Sequence, residues 1–436
     1  MIMRWIVWFL VIVVNFTTVH AGEELKEQVD RSADRMESKV IEWRRHFHQF
    51  PELSNREFKT AEKVAEHLKH LGLDVKTGVA HTGVVGLLKG DKPGPVVALR
   101  ADMDALPVSE RVDVPFVSKV RAEYNGHDVG VMHACGHDTH MAILMGVAEI
   151  LTSMKKDLAG SVKFLFQPAE EGAPRGEQGG AKLMVEEGVL EDPNVDAIFG
   201  LHVCALMEVG TIGYRPEGAM AASDGLRITV KGKQTHGSTP WTGVDPITVS
   251  AQIILGLQTI ISRQMELTEN AAVITIGSIH GGVRSNIIPD QVEMIGTIRT
   301  LNTEMQEKIH EKIRRTVTKI AESAGAVAEV RIGKGNPVTY NDPELAAMML
   351  PSLEAAVGTE NVTLIKAITG AEDFSFYQQR VPGLYFFLGG MPKGKKPEDA
   401  APHHSPDFYI DESCLKLGVR ALSYLVLDYM NKHEDQ

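Results

Sequence analysis

PVVALRADMDALP, residues 95–107, begins as an unbroken apolar run and ends in two acids two positions apart. A run without alternation suits a strand buried on both faces, as in a sheet covered by helices. Period two puts Asp102 and Asp104 on one side of its end. The same pattern recurs downstream. A helical stretch after His140 (MAILMGVAEIL) leads to the strand-like SVKFLF at 161–166, and AIFGL comes next at 197–201. Strands alternating with helices predict an α/β layered domain. Each strand is followed by polar residues: Asp102 and Asp104, then Glu170-Glu171, then His202. Open α/β sheets place their sites at that edge.

Outward from this core, apolar spacing predicts helices at 24–49 and 57–71, stopped by Pro51 and Gly72. From about Ala222 the texture changes. Strands at 224–230, 272–276, 291–298 and 326–332 enclose helices at 246–264 and 303–323. The order β-α-β-β-α-β is the ferredoxin-like split motif. After Pro337 the α/β pattern resumes, with a helix at 343–356, a strand at 384–388 and a last helix at 412–430. The chain therefore divides into a leader at 1–21, a catalytic domain in two parts at 22–221 and 336–436, and an inserted domain at 222–335. With 436 residues, two domains are the natural size. The leader has Arg4 before the apolar run Trp5–Val14, too short to span a bilayer comfortably, and ends in Val19-His20-Ala21. It reads as a cleavable secretory signal, so a secreted or periplasmic protein with no stable membrane span is expected. The net charge of −12 and the lack of a basic block argue against nucleic acid as a partner.

The chemistry concentrates in His133-Ala134-Cys135-Gly136-His137-Asp138-Thr139-His140. A thiolate and an imidazole two positions apart can reach one metal from a single turn of loop. Adding Glu170-Glu171, His202 and His403-His404 gives thiolate, imidazoles and carboxylate, with a spare carboxylate to act as base. Metal-assisted hydrolysis needs those parts. The three cysteines (Cys135, Cys204, Cys414) allow at most one disulfide, and none is expected while Cys135 serves a metal. Adjacent side chains at a strand end should diverge, separating the work of Glu170 from that of Glu171. On the inserted domain, His236 comes after the first strand, while Arg284 and Asn286 lie between the middle two. Such residues are good donors to an oxyanion or a carboxylate. No Gly-x-Ser-x-Gly elbow supports a serine route.

The runs RRHFHQFPELS, LRADMDALP, MHACGHDTHMAIL, FQPAEEG, GLHV, GGVRSNIIPD, TGAEDFSFY and HHSPDF, in that order, resemble the dinuclear-metal aminoacylase and carboxypeptidase superfamily. The resemblance is strongest to its amidohydrolase branch of hippurate hydrolases, thermostable carboxypeptidases and plant indoleacetyl-amino-acid hydrolases. It implies a zinc-peptidase-like catalytic domain, with a central mixed sheet flanked by helices, and an inserted lid or dimerisation domain. It implies two divalent ions per subunit, zinc or manganese, with cobalt or nickel also admitted. Cys135 would bridge them, with Glu171 and His404 on one and His137 and His202 on the other. Glu170 becomes the general base, Asp104 the orienting acid, His236 the oxyanion donor, and Asn286 and Arg284 the holders of a substrate carboxylate. The implied activity is cleavage of N-acyl amino acids, with a carboxypeptidase or dipeptidase on the same machinery as the alternative. A homodimer or homotetramer would form through the inserted domain. The segment GAPRGEQGGA between Glu171 and His202 is longer than in the plant enzymes.

Overall fold

The run at 95–99 lies inside the strand Lys92–Asp102 of a computed structural model, which describes residues 3–433 and, from Glu23 onward, their side chains. Val97, Ala98 and Leu99 have no exposed surface, and parallel strands flank them on both sides. Those neighbours are Ala159–Gln167 and Ala197–Glu208. The sheet has eight strands, which in spatial order start at Asp74, Gly83, Ala159, Lys92, Ala197, Gly383, Ile212 and Val362. It is mixed: the hairpin at the Asp74 edge is antiparallel, the four strands starting at Ala159, Lys92, Ala197 and Gly383 are parallel, and the Ile212 strand runs antiparallel to the Gly383 strand. Helices Met3–Gln49, His137–Ser153 and Cys414–Lys432 pack on one another, and the latter two also pack on the sheet. The helix Met3–Gln49 begins earlier than the apolar spacing predicts. The leader read at 1–21 lies outside the described side chains. Among the described residues no helix is long and apolar enough to cross a membrane.

The sheet belongs to a unit of residues 1–216, 341–365 and 376–436. The second unit is 217–340 together with 366–375, so it takes in more on each side than 222–335 and includes a return segment. Its four-stranded antiparallel sheet has the spatial order Ala272–Gly281, Gln291–Thr300, Ala222–Lys231 and Val327–Lys334. With helices Pro246–Gln264 and Thr303–Ser323 this is the split β-α-β motif. Both helices start where the sequence says they should. Asp245 accepts from the backbone of Ile247 ahead of Pro246, and Asn302 accepts from Met305. Leu226, Ile228, Val230, Ile253, Leu257 and Ile313 form a core of their own.

Several short elements are not signalled in the sequence. Asp74–Val79, Ile212–Tyr214, Val362–Leu364 and the hairpin Arg121–Tyr124 with His127–Gly130 carry mostly polar or mixed residues, and their pairing comes from their neighbours. The strand at 197 also runs to Glu208 rather than ending before His202. Its neighbour Lys92–Asp102 pairs with it only through Val97–Arg100. His202 thus stands two residues beyond the last pair on that side, while on the other side it still pairs with Phe387.

Candidate metal centre

Gly136 makes the turn that delivers Cys135 and His137. Its φ is +91°, and a Cβ there would lie 2.4 Å from Val203 Cγ1. Only glycine meets both demands without strain. The helix His137–Ser153 begins directly after it. His137 and His140, three residues apart, stack on one face with ring centroids 5.5 Å apart. Asp138 faces the other way. It is fully buried against Arg44 Nε at 2.8 Å and His48 Nδ1 at 2.9 Å, which tie the helix start to the RRHFH segment.

Asp104 organises the opposite wall. Its carboxylate accepts from Ser54 Oγ at 2.7 Å and from the backbone nitrogens of Glu170 and Glu171 at 3.1 Å each. It also lies 3.2 Å from His137 Nδ1. Glu57 accepts from the nitrogen of Ala169 at 3.0 Å. Three successive N–H groups of the loop therefore end on two buried carboxylates. Ala169 has a φ of +52°, a conformation that side chains rarely adopt. The turn overrides the alternation expected of a strand, and Glu170 and Glu171 do not diverge. Glu170 Oε2 and Glu171 Oε1 both lie 4.0 Å from His137 Nε2. The strand stops at Gln167, so side-chain alternation no longer applies.

The remaining donors close the cluster. Cys135, Glu171 and His404 group together, as do Cys135, His202 and His403. His404 Nε2 is 3.1 Å from Glu171 Oε1, and Cys135 Sγ is 3.4 Å from His202 Nε2. The loop bearing His404 is fixed by its backbone nitrogen, which donates to Ala134 O at 2.9 Å. His202 donates Nδ1–H to Val203 O at 2.7 Å, which leaves the Nε2 lone pair facing the sulfur. Asp102 and His140 are near but committed elsewhere. His140 Nδ1 donates to Asp102 Oδ1 at 2.6 Å, its Nε2 accepts from the nitrogen of Val203, and Arg100 Nη1 holds Asp102 Oδ2 at 2.6 Å.

The electrostatics ask for cations. Burial alone would lower the His137 pKa, but Asp102, Asp104 and Glu171 outweigh it and hold it up at about 10. Burial, with His140 and His403 nearby, pushes His202 well below the usual range, so it is neutral and able to ligate. Burial, then Glu171 and Glu170, push the Cys135 thiol well above its usual range. Both His137 ring nitrogens and Glu171 Oε1 are buried without a well-aligned hydrogen bond. Orphaned buried donor atoms, a soft sulfur and a surplus of carboxylates fit borderline divalent ions. Cys135, Cys204 and Cys414 are all free thiols.

On the smaller unit, Thr235–His236 pairs with Ile287–Ile288, and Gly237 N donates to Asn286 O at 2.9 Å. His236 and Asn286 are thereby neighbours. Ser238 N and Oγ both address His236 Nδ1, so Nε2 carries the proton and is a donor. Arg284 is exposed on the adjoining turn. The segment GAPRGEQGGA is clasped by Asn55 and His81 at Gln178 O and by Arg56 at Glu177.

Residues 98–428 match the model of peptidase family M20/M25/M40. The chain belongs to this family. Like other M20 proteins it is a hydrolase of amide or peptide bonds. It is 42% identical over 414 residues to thermostable carboxypeptidase 2 of Saccharolobus solfataricus, covering 94% of this chain and 100% of the relative. It is 37% identical to an N-acetylcysteine deacetylase of Bacillus subtilis, covering 89% and 96%. The crystal structure of Bacillus subtilis YXEP, described as a dinuclear metal binding M20 peptidase, superposes with a TM-score of 0.76 at 34% identity, covering 91% of this chain and 99% of that one. Sequence patterning did not single out Glu57 or Arg100, and it picked out His140 and His403 within their runs without giving either a role of its own. His140 carried a signal, its i+3 spacing from His137 on a helix. Glu57 carried none, because it meets the loop from over a hundred residues away.

Proposed function

We propose that this M20 hydrolase cleaves the amide bond of N-acyl amino acids, releasing a carboxylic acid and a free amino acid. The observation that supports it most is the pair Glu170 and Glu171, both within 4.0 Å of one His137 nitrogen, with Glu171 alone also reaching His404. Glu171 is thus the carboxylate that joins the Cys135 and His404 donors, and we assign Glu170, beside it, to proton transfer. Cys135, His137, Glu171, His202 and His404 would hold two divalent ions, which when bound supply Lewis acidity toward water and the amide carbonyl. Glu170 takes the proton of the attacking water and delivers it to the departing amine nitrogen. Asp104 keeps His137 oriented and holds the Glu170–Glu171 backbone in place. By the family resemblance alone, His236 would serve as donor to the tetrahedral oxygen, and Asn286 and Arg284 would hold the carboxylate of the amino-acid half.

The test is a panel of N-acetyl, N-benzoyl and aminoacyl amino acids assayed before and after dialysis against a strong chelator. Turnover of acetyl or benzoyl substrates should vanish on chelation and return with Mn(II) or Zn(II). Undiminished turnover in metal-free protein refutes the reading. Activity confined to dipeptides moves the assignment to the carboxypeptidase class, which the likeness to a thermostable carboxypeptidase favours. We also propose export, from the leader composition. Amino-terminal sequencing of protein from its native source should begin near Gly22, and an intact Met1 refutes it.

A further inference from the structure

One histidine of the cluster has no place in the ligand set above. His403 groups with Cys135 and His202, and both its ring nitrogens are engaged. Ala205 donates its backbone N–H to His403 Nε2 at 3.1 Å. That N–H is released by a break in the sheet. The ladder to Gly383–Met391 shifts register between Gly389 and Met391, opposite Cys204 and Glu208. A ring nitrogen that accepts an N–H carries no proton, so the proton of the ring sits on Nδ1. Nδ1 faces Cys135, with Sγ at 3.7 Å and the backbone carbonyl as a second acceptor. Ligation through Nδ1 would require the proton on Nε2, aiming one N–H at another across 3.1 Å. This tautomer is wrong for a ligand and right for a donor. The two histidines beside the sulfur are therefore opposites: His202 offers Sγ a lone pair and His403 offers it a proton.

We propose that His403 is a positioning residue that donates Nδ1–H to the Cys135 sulfur and so tunes the thiolate toward the ions it holds. This rests on the metal-centre reading above. An N–H aimed at a thiolate stabilises the sulfur lone pairs and lessens their donation, the lever by which hydrogen bonds to sulfur tune metal–thiolate centres. Without it the lone pairs rise in energy, and charge transfer from sulfur to a bound ion needs less energy.

The experiment is Co(II) titration of the metal-depleted full chain, read by near-ultraviolet absorption and by metal analysis. Wild type should show a sulfur-to-cobalt band that Cys135→Ser removes. His403→Ala should keep the cobalt stoichiometry and shift that band to longer wavelength. His403→Asn, whose amide N–H falls near the Nδ1 position, should bring the band back toward wild type. His403→Leu replaces Ala if the smaller side chain fails to fold, with the same shift expected. An unmoved band in Ala and Leu overturns the proposal. So does the loss of one cobalt per chain in both Ala and Asn, which would make His403 a ligand. Absence of any thiolate band in wild type removes the metal-centre reading itself, and this result is distinct from the other two.

Discussion

Glu170 and Glu171 share a peptide bond and two backbone contacts to Asp104, yet their side chains have different company. Glu171 reaches His404 and groups with Cys135, while Glu170 stands beside His137. Glu170→Gln keeps shape and removes basicity. It should lower kcat on the order of a hundredfold or more while metal content stays near normal. Glu171→Gln should instead lower metal content, measured by elemental analysis of the purified variants. The opposite pattern reverses the roles, and wild-type turnover in Glu170→Gln discards Glu170 as base. At this scale the sequence is legible where chemistry is crowded. The thiolate and imidazole of Cys135 and His137 stand out because so few other residues could explain them. Choosing His404 over its neighbour His403 is not legible from spacing. It depends on which ring nitrogen meets the Ala205 N–H, and that is set by a register shift in the strand pair that carries Ala205.

Strand ends and turns carry the site more than strand interiors do. The apolar runs at 95–99, 161–166 and 197–201 predict the parallel core because burial on both faces leaves little room for polar residues. The turns beyond these runs are harder to read. The Pro168–Gly172 turn brings two acids together where alternation would part them, and its shape is set by Glu57 and Asp104. The Cys135–His137 turn depends on Gly136 instead. Gly136→Ala must adopt a left-handed conformation, at about 1–2 kcal/mol, and also meets Val203. Thermal unfolding should show that loss or more. In a Val203→Ala background the same change should cost less, because the contact at 2.4 Å is removed while the backbone strain remains. Equal costs in the two backgrounds would mean that backbone strain alone makes Gly136 necessary.

Two separate hydrophobic cores, one under the eight-stranded sheet and one under the four-stranded sheet, give the molecule two sources of stability that different conditions can address. Ion binding acts on the larger unit, since the thiolate, imidazole and carboxylate donors all belong to it, and ligands stabilise the state that binds them. The smaller unit has its own electrostatic anchor. Asp224 is buried with its Oδ2 accepting from His310 Nε2 at 2.6 Å and Gln306 Nε2 at 2.8 Å. Burial alone would raise its pKa, but the His310 and Gln306 hydrogen bonds outweigh it and hold the carboxyl below its usual value. A carboxyl depressed in the folded state adds stability above its unfolded pKa, roughly 3.9, and loses it as pH falls through the lower folded value. The smaller unit should therefore weaken below about pH 4. Asp224→Asn should flatten that acid limb and cost about 1–3 kcal/mol at neutral pH. Calorimetry of the full chain tests both sources together. Chelation should lower one unfolding transition and Asp224→Asn the other, with little cross-effect. If both perturbations move a single transition equally, the two cores unfold as one cooperative body, and the independence argued from their separate packing is wrong.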